Sequence, residues 1–248
     1  MLSIRETVRK GTLALLDLVY PESCALCEKW TAPEEERGLC ASCESRILEN
    51  VPPFCPTCGS PYQKTEAAPC CGSCDGKEFS YDRLWYTAPY EGVLREALHK
   101  LKYEGRKPVA GVLAKRLTFF AKQHLQEVRF HAVVPVPLTW QKERERQFNQ
   151  AALLAKPLAQ SFGVALSCGN LLRIRATLPQ VELSKPRRFE NVRGAFRARH
   201  PSYYRGKNLL LVDDVVTTGA TVSACAKTLR EAGAEHLYVL TLAGGRQT

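Results

Sequence analysis

Leu209-Leu210-Leu211-Val212-Asp213-Asp214-Val215-Val216-Thr217-Thr218-Gly219-Ala220-Thr221 decides how this sequence is read. Four apolar residues form a buried strand, two acids end it, and a short hydroxyl- and glycine-bearing turn opens a helix. The turn and the helix N-terminus aim unpaired backbone N–H groups at one point, which suits a phosphate dianion. Along Val215, Val216, Thr217, Thr218, Gly219, Ala220 and Thr221 the threonine hydroxyls add donors, and Gly219 lets the backbone come close. Asp213 and Asp214, expected at an exposed strand end, are acceptors for vicinal sugar hydroxyls. Phosphate on one side and a diol on the other describe a ribose 5-phosphate. The Gly-Lys-Ser/Thr ending of a Walker loop is missing and so is Gly-x-Gly-x-x-Gly, which removes nucleoside triphosphate and dinucleotide readings.

Around this loop, helical and strand patterns alternate. Val93, Leu94, Ala97, Leu98 and Leu101 mark one face of a helix ended by Gly105 and Pro108. A second helix is expected over Val109–Leu125, a short strand over Ala132–Val136, and a helix over Phe148–Phe162 that Pro157 kinks or breaks. Helix Val222–Ala232 and strand Leu237–Leu242 follow the loop. The alternation predicts an α/β domain with a mostly parallel sheet covered on both faces. The aromatics Trp85, Tyr86, Tyr90 and Tyr103 read as core residues before they read as base-stacking platforms. His99 and His124 read as structural or surface residues. Cys168 and Cys225 stand alone and read as small core residues.

Upstream lies a repeat. Cys24-x2-Cys27-x12-Cys40-x2-Cys43 is followed, after eleven residues, by Cys55-x2-Cys58-x12-Cys71-x2-Cys74. A Cys-x2-Cys knuckle turns two thiolates inward, and two knuckles make a tetrahedral four-cysteine set suited to structural zinc, so two zinc ions are expected. Four filled thiolate positions leave no open coordination site for catalysis. The simple pairing takes each repeat as one site; a cross-braced pairing, Cys70 in place of Cys71, and an iron–sulfur cluster are the alternatives. With little apolar sequence of its own, each unit depends on metal. The expected organisation is an N-terminal amphipathic helix (1–22, with its pattern over Leu2–Val19), a zinc-ribbon module (23–78) and the α/β domain (82–248).

Charge localises the chemistry further. The chain carries 35 Lys and Arg against 25 Asp and Glu. Between Lys142 and Lys207 lie 14 basic and 4 acidic residues, so the whole excess of ten sits there. Such a local excess points to an anionic ligand, either polyphosphate or nucleic acid. No apolar run reaches the ~18 residues of a membrane span. No signal cleavage site follows the basic start, and the reading is a cytoplasmic protein.

Several stretches together resemble the ComF family, linked to bacterial DNA uptake and competence. They are Leu101-Lys102-Tyr103-Glu104-Gly105-Arg106, Val134-Pro135-Val136-Pro137-Leu138, Arg146-Gln147-Phe148-Asn149-Gln150, and Arg175-Ala176-Thr177-Leu178-Pro179-Gln180 continuing to Arg188, Asn191 and Phe196. The cysteine-rich front is typical of that family, and the 209–221 loop is similar to the phosphoribosyl-pyrophosphate (PRPP) loop of type I phosphoribosyltransferases. The resemblance implies a type I phosphoribosyltransferase-like domain behind a double zinc ribbon. It implies PRPP bound with Mg2+, and Asp213 and Asp214 as the catalytic acids. Arg146, with Lys142 and Arg144, falls where type I enzymes place a pyrophosphate loop. Arg188, with Lys185 and Arg187, falls in a stretch similar to their flexible loop. One departure stands out: the family reads Arg-Gly-Phe-Asn, and Gln147 replaces the glycine, which strains the turn if φ is positive there. No base pocket and no glutaminase domain is legible. The partners implied are PRPP, single-stranded DNA and competence proteins. The functions weighed are a phosphoribosyltransferase-type enzyme with an unidentified acceptor, a non-catalytic DNA-binding adaptor regulated by PRPP, and a purely structural zinc protein.

Overall fold

The apolar run at Leu209 forms the middle of a five-stranded sheet in the computed structural model, which describes residues 23–31, 38–63, 70–176 and 185–245. The amphipathic helix expected at Leu2–Val19 and the Thr177–Gln180 stretch lie outside the described residues. The elements of the α/β domain are β1 (Arg83–Pro89), α1 (Gly92–Glu104), α2 (Val109–His124), β2 (Ala132–Pro135), α3 (Trp140–Arg146), α4 (Gln150–Phe162), β3 (Ala165–Leu166), β4 (Leu171–Arg173), α5 (Lys185–Val192), β5 (Phe196–Ala198), β6 (Asn208–Val216), α6 (Ala220–Glu231) and β7 (His236–Gly244). The sheet order is β1-β7-β6-β2-β3 and every pairing in it is parallel. β4 and β5 form a separate antiparallel pair.

Side-chain alternation distributes the strands between two cores. Leu210 and Val212 face one core with Val133, Leu240 and Leu242, where α1, α2 and α4 pack. Leu209 and Leu211 face the other with Val134, Leu237 and Val239, where Val222, Cys225, Ala226 and Leu229 of α6 pack beside Leu171 and Phe196. Both faces are covered, as the continuous apolar strands predict. The connection from β2 through α4 to β3 runs over the first face, and that from β6 through α6 to β7 over the second. The chain therefore leaves β2 and β6, which are neighbours, toward opposite faces. A crevice opens between the carboxyl ends of such strands.

Pro157 lies inside α4 and does not break it. Two expectations are corrected here. Cys225 is fully buried as expected, but Cys168 is exposed, because the chain has already left the two-residue strand β3 at that point. Trp85 and Tyr86 are core residues, whereas Tyr103 stands exposed on α1.

The zinc-ribbon segment is built onto this domain. β1 is an edge strand, and its free backbone groups are used by the ribbon: Asn50 N donates to the Thr87 carbonyl at 2.8 Å and Leu84 N to the Pro56 carbonyl at 2.9 Å. The Asn50 side chain adds a bond to the Tyr86 carbonyl at 3.0 Å. Covering an edge in this way removes a template for unwanted strand pairing. Leu39, Ile47 and Phe54 from the ribbon share the first core with α2.

Candidate functional site

Asp213 and Asp214 are interior residues, contrary to the exposed strand end expected for them. β6 runs on to Val216, with Asp213 opposite Thr241 and Val216 opposite Gly244 of β7, so the acids lie within the sheet. They are 8% and 4% exposed. Strand alternation turns their carboxylates to opposite faces. Asp214 points to the side of α1 and α4, where it is ion-paired with Lys102 and accepts from Gln150 Nε2 at 3.4 Å. Asp213 Oδ1 accepts from the Asp214 backbone N–H at 2.9 Å. Burial, then the neighbouring Asp214 charge, push the Asp213 carboxyl well above the ordinary range. Burial acts the same way on Asp214, but the Lys102 charge outweighs it and holds that carboxyl below the ordinary range. One acid is thus fixed as an anion while its neighbour is poised to hold a proton.

Beyond Val216 the chain turns through Thr217 and Thr218 into Gly219, whose φ of 78° is left-handed, and α6 begins at Ala220. Thr218 Oγ1 accepts from Ala220 N at 3.5 Å. The first N–H groups of α6 have no carbonyl one turn back and face the same end of the sheet as the acids. Thr217, Thr218 and Thr221 are half-buried beside this turn.

Cations gather at the same end. Following β2, Thr139 Oγ1 caps α3 by accepting from Lys142 N at 3.4 Å. Arg146, the last residue of α3, donates from Nη1 to Gln150 Oε1 at 3.0 Å. Gln150 in turn bonds Asp214, which links Arg146 to the acidic pair. Partial desolvation, then the charges of Arg173 and Arg146, with a smaller share from Lys102, hold the Lys142 ammonium below its ordinary value against an opposing pull from Glu145, although the residue stays exposed. Burial also depresses Arg173, which lies within electrostatic reach of Asp213. Four cations from three elements, α1, α3 and β4, therefore converge beside the two acids, a field arranged for a polyanion. Arg188 is buried on α5, which packs against α6. The side chain of Lys185 lies outside the described residues.

Gln147 has φ 62° and caps α3 in the left-handed conformation. The turn does need positive φ, and a side chain occupies the position that glycine fills more cheaply. The residues that sequence reasoning missed as site members are Lys102, Gln150 and Arg173. Lys102 and Gln150 lie inside stretches quoted above, but nothing in their local pattern marks them as partners of Asp214. Arg173 sits on a three-residue strand with no period to read.

In the ribbon, the four sulfurs of Cys24, Cys27, Cys40 and Cys43 lie within 4.8 Å of one another, as do those of Cys55, Cys58, Cys71 and Cys74. Cys27 and Cys40 sulfurs are 3.7 Å apart, and those of Cys58 and Cys71 are 3.6 Å apart. Tetrahedral zinc with Zn–S of about 2.3 Å requires sulfurs about 3.8 Å apart, so both sets fit the metal. The Cys71 backbone N–H donates to Cys55 Sγ at 3.4 Å, which suits a bound thiolate. Each repeat gathers into one site; the cross-braced arrangement and the use of Cys70 are not what the structure shows.

Two domain families match the chain. Residues 15–75 match the double zinc ribbon domain and residues 149–248 the phosphoribosyl transferase domain. The parallel sheet, its glycine-led turn and the two four-cysteine sets define a phosphoribosyltransferase-fold protein with a double zinc ribbon. The chain is 34% identical over 228 residues to a Salmonella typhimurium protein named DNA utilization protein YhgH, covering 91% of this chain and 98% of that one. It is 31% identical to competence protein F of Haemophilus influenzae, over 84% of this chain and 91% of that one. Competence protein ComFC of Bacillus subtilis is 29% identical, over 85% and 89%. The chain belongs to the ComF family. No helix among the described residues is long and apolar enough to cross a membrane.

Proposed function

We propose that this chain binds PRPP with Mg2+ at the crevice between β2 and β6 and serves the handling of DNA taken up by the cell. The observation that carries the reading is the juxtaposition at one sheet end: a phosphate turn led by Gly219, the Asp213–Asp214 pair, and the cations Lys102, Lys142, Arg146 and Arg173. In this assignment Val215–Thr221 hold the 5-phosphate, and Asp213 and Asp214 serve the ribose diol. Lys142 and Arg146, with Arg173, face the pyrophosphate, and Arg188 lies with α5 beside α6. Mg2+, when bound with PRPP, neutralises pyrophosphate charge. Departure of pyrophosphate from C1 leaves positive charge on the ribose, and the site's own charges suit both products of that separation. The names of the relatives support the link to DNA uptake and competence proteins. We place the protein in the cytoplasm, where metal-bound thiolates are not oxidised to disulfides.

The deciding experiment is calorimetric titration with PRPP, with and without Mg2+, on the wild type and Asp214→Asn, which removes the acid held as an anion. Saturable, Mg2+-dependent heat in the wild type, weakened at least about tenfold in the variant, is expected from losing a charge-assisted contact of ~1.5–3 kcal/mol. Equal affinities would reject the assignment of the loop. A second reading, single-stranded DNA bound as by an adaptor, has its own observation. Trp140 and Tyr103 are each 68% exposed, and Arg144 and Arg146 lie over their rings at 5.3 and 5.4 Å. Bases stack on such aromatics. Anisotropy of a labelled oligonucleotide, unchanged by Trp140→Ala and Tyr103→Ala, removes that reading.

A further inference from the structure

The geometry points to Tyr81 as a positioning residue through which the second zinc site holds the phosphate turn. This inference rests on the reading of Val215–Thr221 as that turn. Tyr81 lies between the ribbon and β1, and its ring is buried. Its hydroxyl donates to the carbonyl of Thr57 at 2.9 Å. Thr57 lies inside the Cys55-x2-Cys58 knuckle, so its carbonyl is fixed only while those two thiolates are fixed. The other side of the hydroxyl meets the turn. A Cβ on Gly219 would come within 3.3 Å of Tyr81 Oη and 3.2 Å of Phe79 Cε1. Phe79 stacks on Tyr81, with centroids 5.2 Å apart and planes 26° apart. The pair therefore sets its edge, Tyr81 Oη and Phe79 Cε1, against the residue whose left-handed φ sets the turn. Phe79 also reaches Phe189 on α5, at 6.2 Å between centroids, next to Arg188.

Gly219 is the most permissive residue of the turn, and the N–H directions there depend on keeping one of several accessible backbone states. A rigid pair anchored at a metal knuckle selects that state. The first zinc site has no comparable route among the described residues. Its neighbours are Leu39, Ile47 and the start of α2, on the opposite face of the sheet. The two metal sites, equal in sequence, are unequal in what they hold.

Hydrogen exchange of the full zinc-loaded chain tests this, with zinc counted by elemental analysis. Tyr81→Phe keeps the ring and both zinc ions and removes only the bond to Thr57. It should speed exchange in peptides spanning 217–221 by about threefold to tenfold, the range for one lost hydrogen bond. Cys58→Ser should do so more strongly, with one zinc lost, and Cys27→Ser should leave these amides as in the wild type. Peptides of β7 should stay protected in Tyr81→Phe, which separates local loosening from global destabilisation. The inference is overturned if 217–221 exchange is unchanged in Tyr81→Phe, or if Cys27→Ser speeds it as much as Cys58→Ser. PRPP takes no part in this measurement. Failure of wild-type protein to bind PRPP would thus reject the proposed function and leave the strut to be decided by exchange alone.

Discussion

Asp213 and Asp214 are identical side chains on adjacent positions, and the pleat of β6 gives them opposite fates. Asp214 faces Lys102 and stays charged, while Asp213 has burial and a neighbouring anion against it. The stability consequences have opposite signs. Asp213, raised in the folded state, contributes stability that is full below the ordinary Asp value and is lost as pH rises through its raised one. Asp214, lowered, contributes stability above the ordinary value and loses it as pH falls through the lowered one. Asp213→Asn should therefore leave stability at neutral pH unchanged or raised, and flatten its fall on the alkaline side of the carboxylate range. Asp214→Asn leaves Lys102 unpaired and should cost about 1–3 kcal/mol at neutral pH, toward the low end because Lys102 keeps some solvent contact. Urea denaturation from about pH 4 to pH 8 separates the two profiles. The same loss from both variants, independent of pH, would contradict the charge assignment.

At the scale of elements, α3 shows how one substitution is absorbed. Its N-terminus is capped by Thr139 and its C-terminus ends on Gln147 at φ 62°. A left-handed residue with a Cβ costs about 1–2 kcal/mol, and Gln147 is exposed, so its side chain recovers little by packing. Gln147→Gly should raise stability by about 0.5–1 kcal/mol, reading as a thermal midpoint about 1–4 °C higher. No gain, or a loss, would mean the Gln147 side chain makes a compensating contact. The long elements are legible in the sequence because each carries a period: α1, α2, α4 and α6 lie within a few residues of their expected bounds, as do the cores of β2, β6 and β7. What periodicity cannot register is missed. β3, β4 and β5 span two or three residues each, and α3 buries no side chain at all. The proposed phosphate turn is legible because its chemistry is contiguous. Lys102, Gln150 and Arg173 are not, because only the parallel crossovers bring α1, α4 and β4 to the end of β6.

For the whole molecule, sequence spacing suggests two independent parts, with the ribbon unfolding alone when metal is lost and residues 85–248 surviving. The shared packing argues otherwise. The ribbon supplies backbone partners to the edge strand β1, and a Cβ on Gly38 would sit 2.6 Å from Pro108 C and Val109 N, so the first ribbon lies directly on the start of α2. Phe54 packs against Phe120 and His124 with centroids 5.7 and 5.1 Å apart, and Arg116 of α2 donates to the Ile47 carbonyl at 3.0 Å. Leu39, Ile47 and Phe54 are each almost fully buried. At about 1.5–3 kcal/mol per buried side chain, their loss alone is comparable with the net stability of a domain. Metal therefore stabilises the α/β domain as well as the ribbon. Protein purified without chelator should hold about two zinc ions and melt in one transition. Zinc removal by a strong chelator under reducing conditions should lower that single transition by on the order of 10 °C, at 2–4 °C per kcal/mol for a chain of this size. Circular dichroism and tryptophan fluorescence should then report one midpoint, since Trp30 is in the ribbon while Trp85 and Trp140 are in the α/β domain. Two separated transitions, with the later one unmoved by chelation, would restore the picture of independent parts.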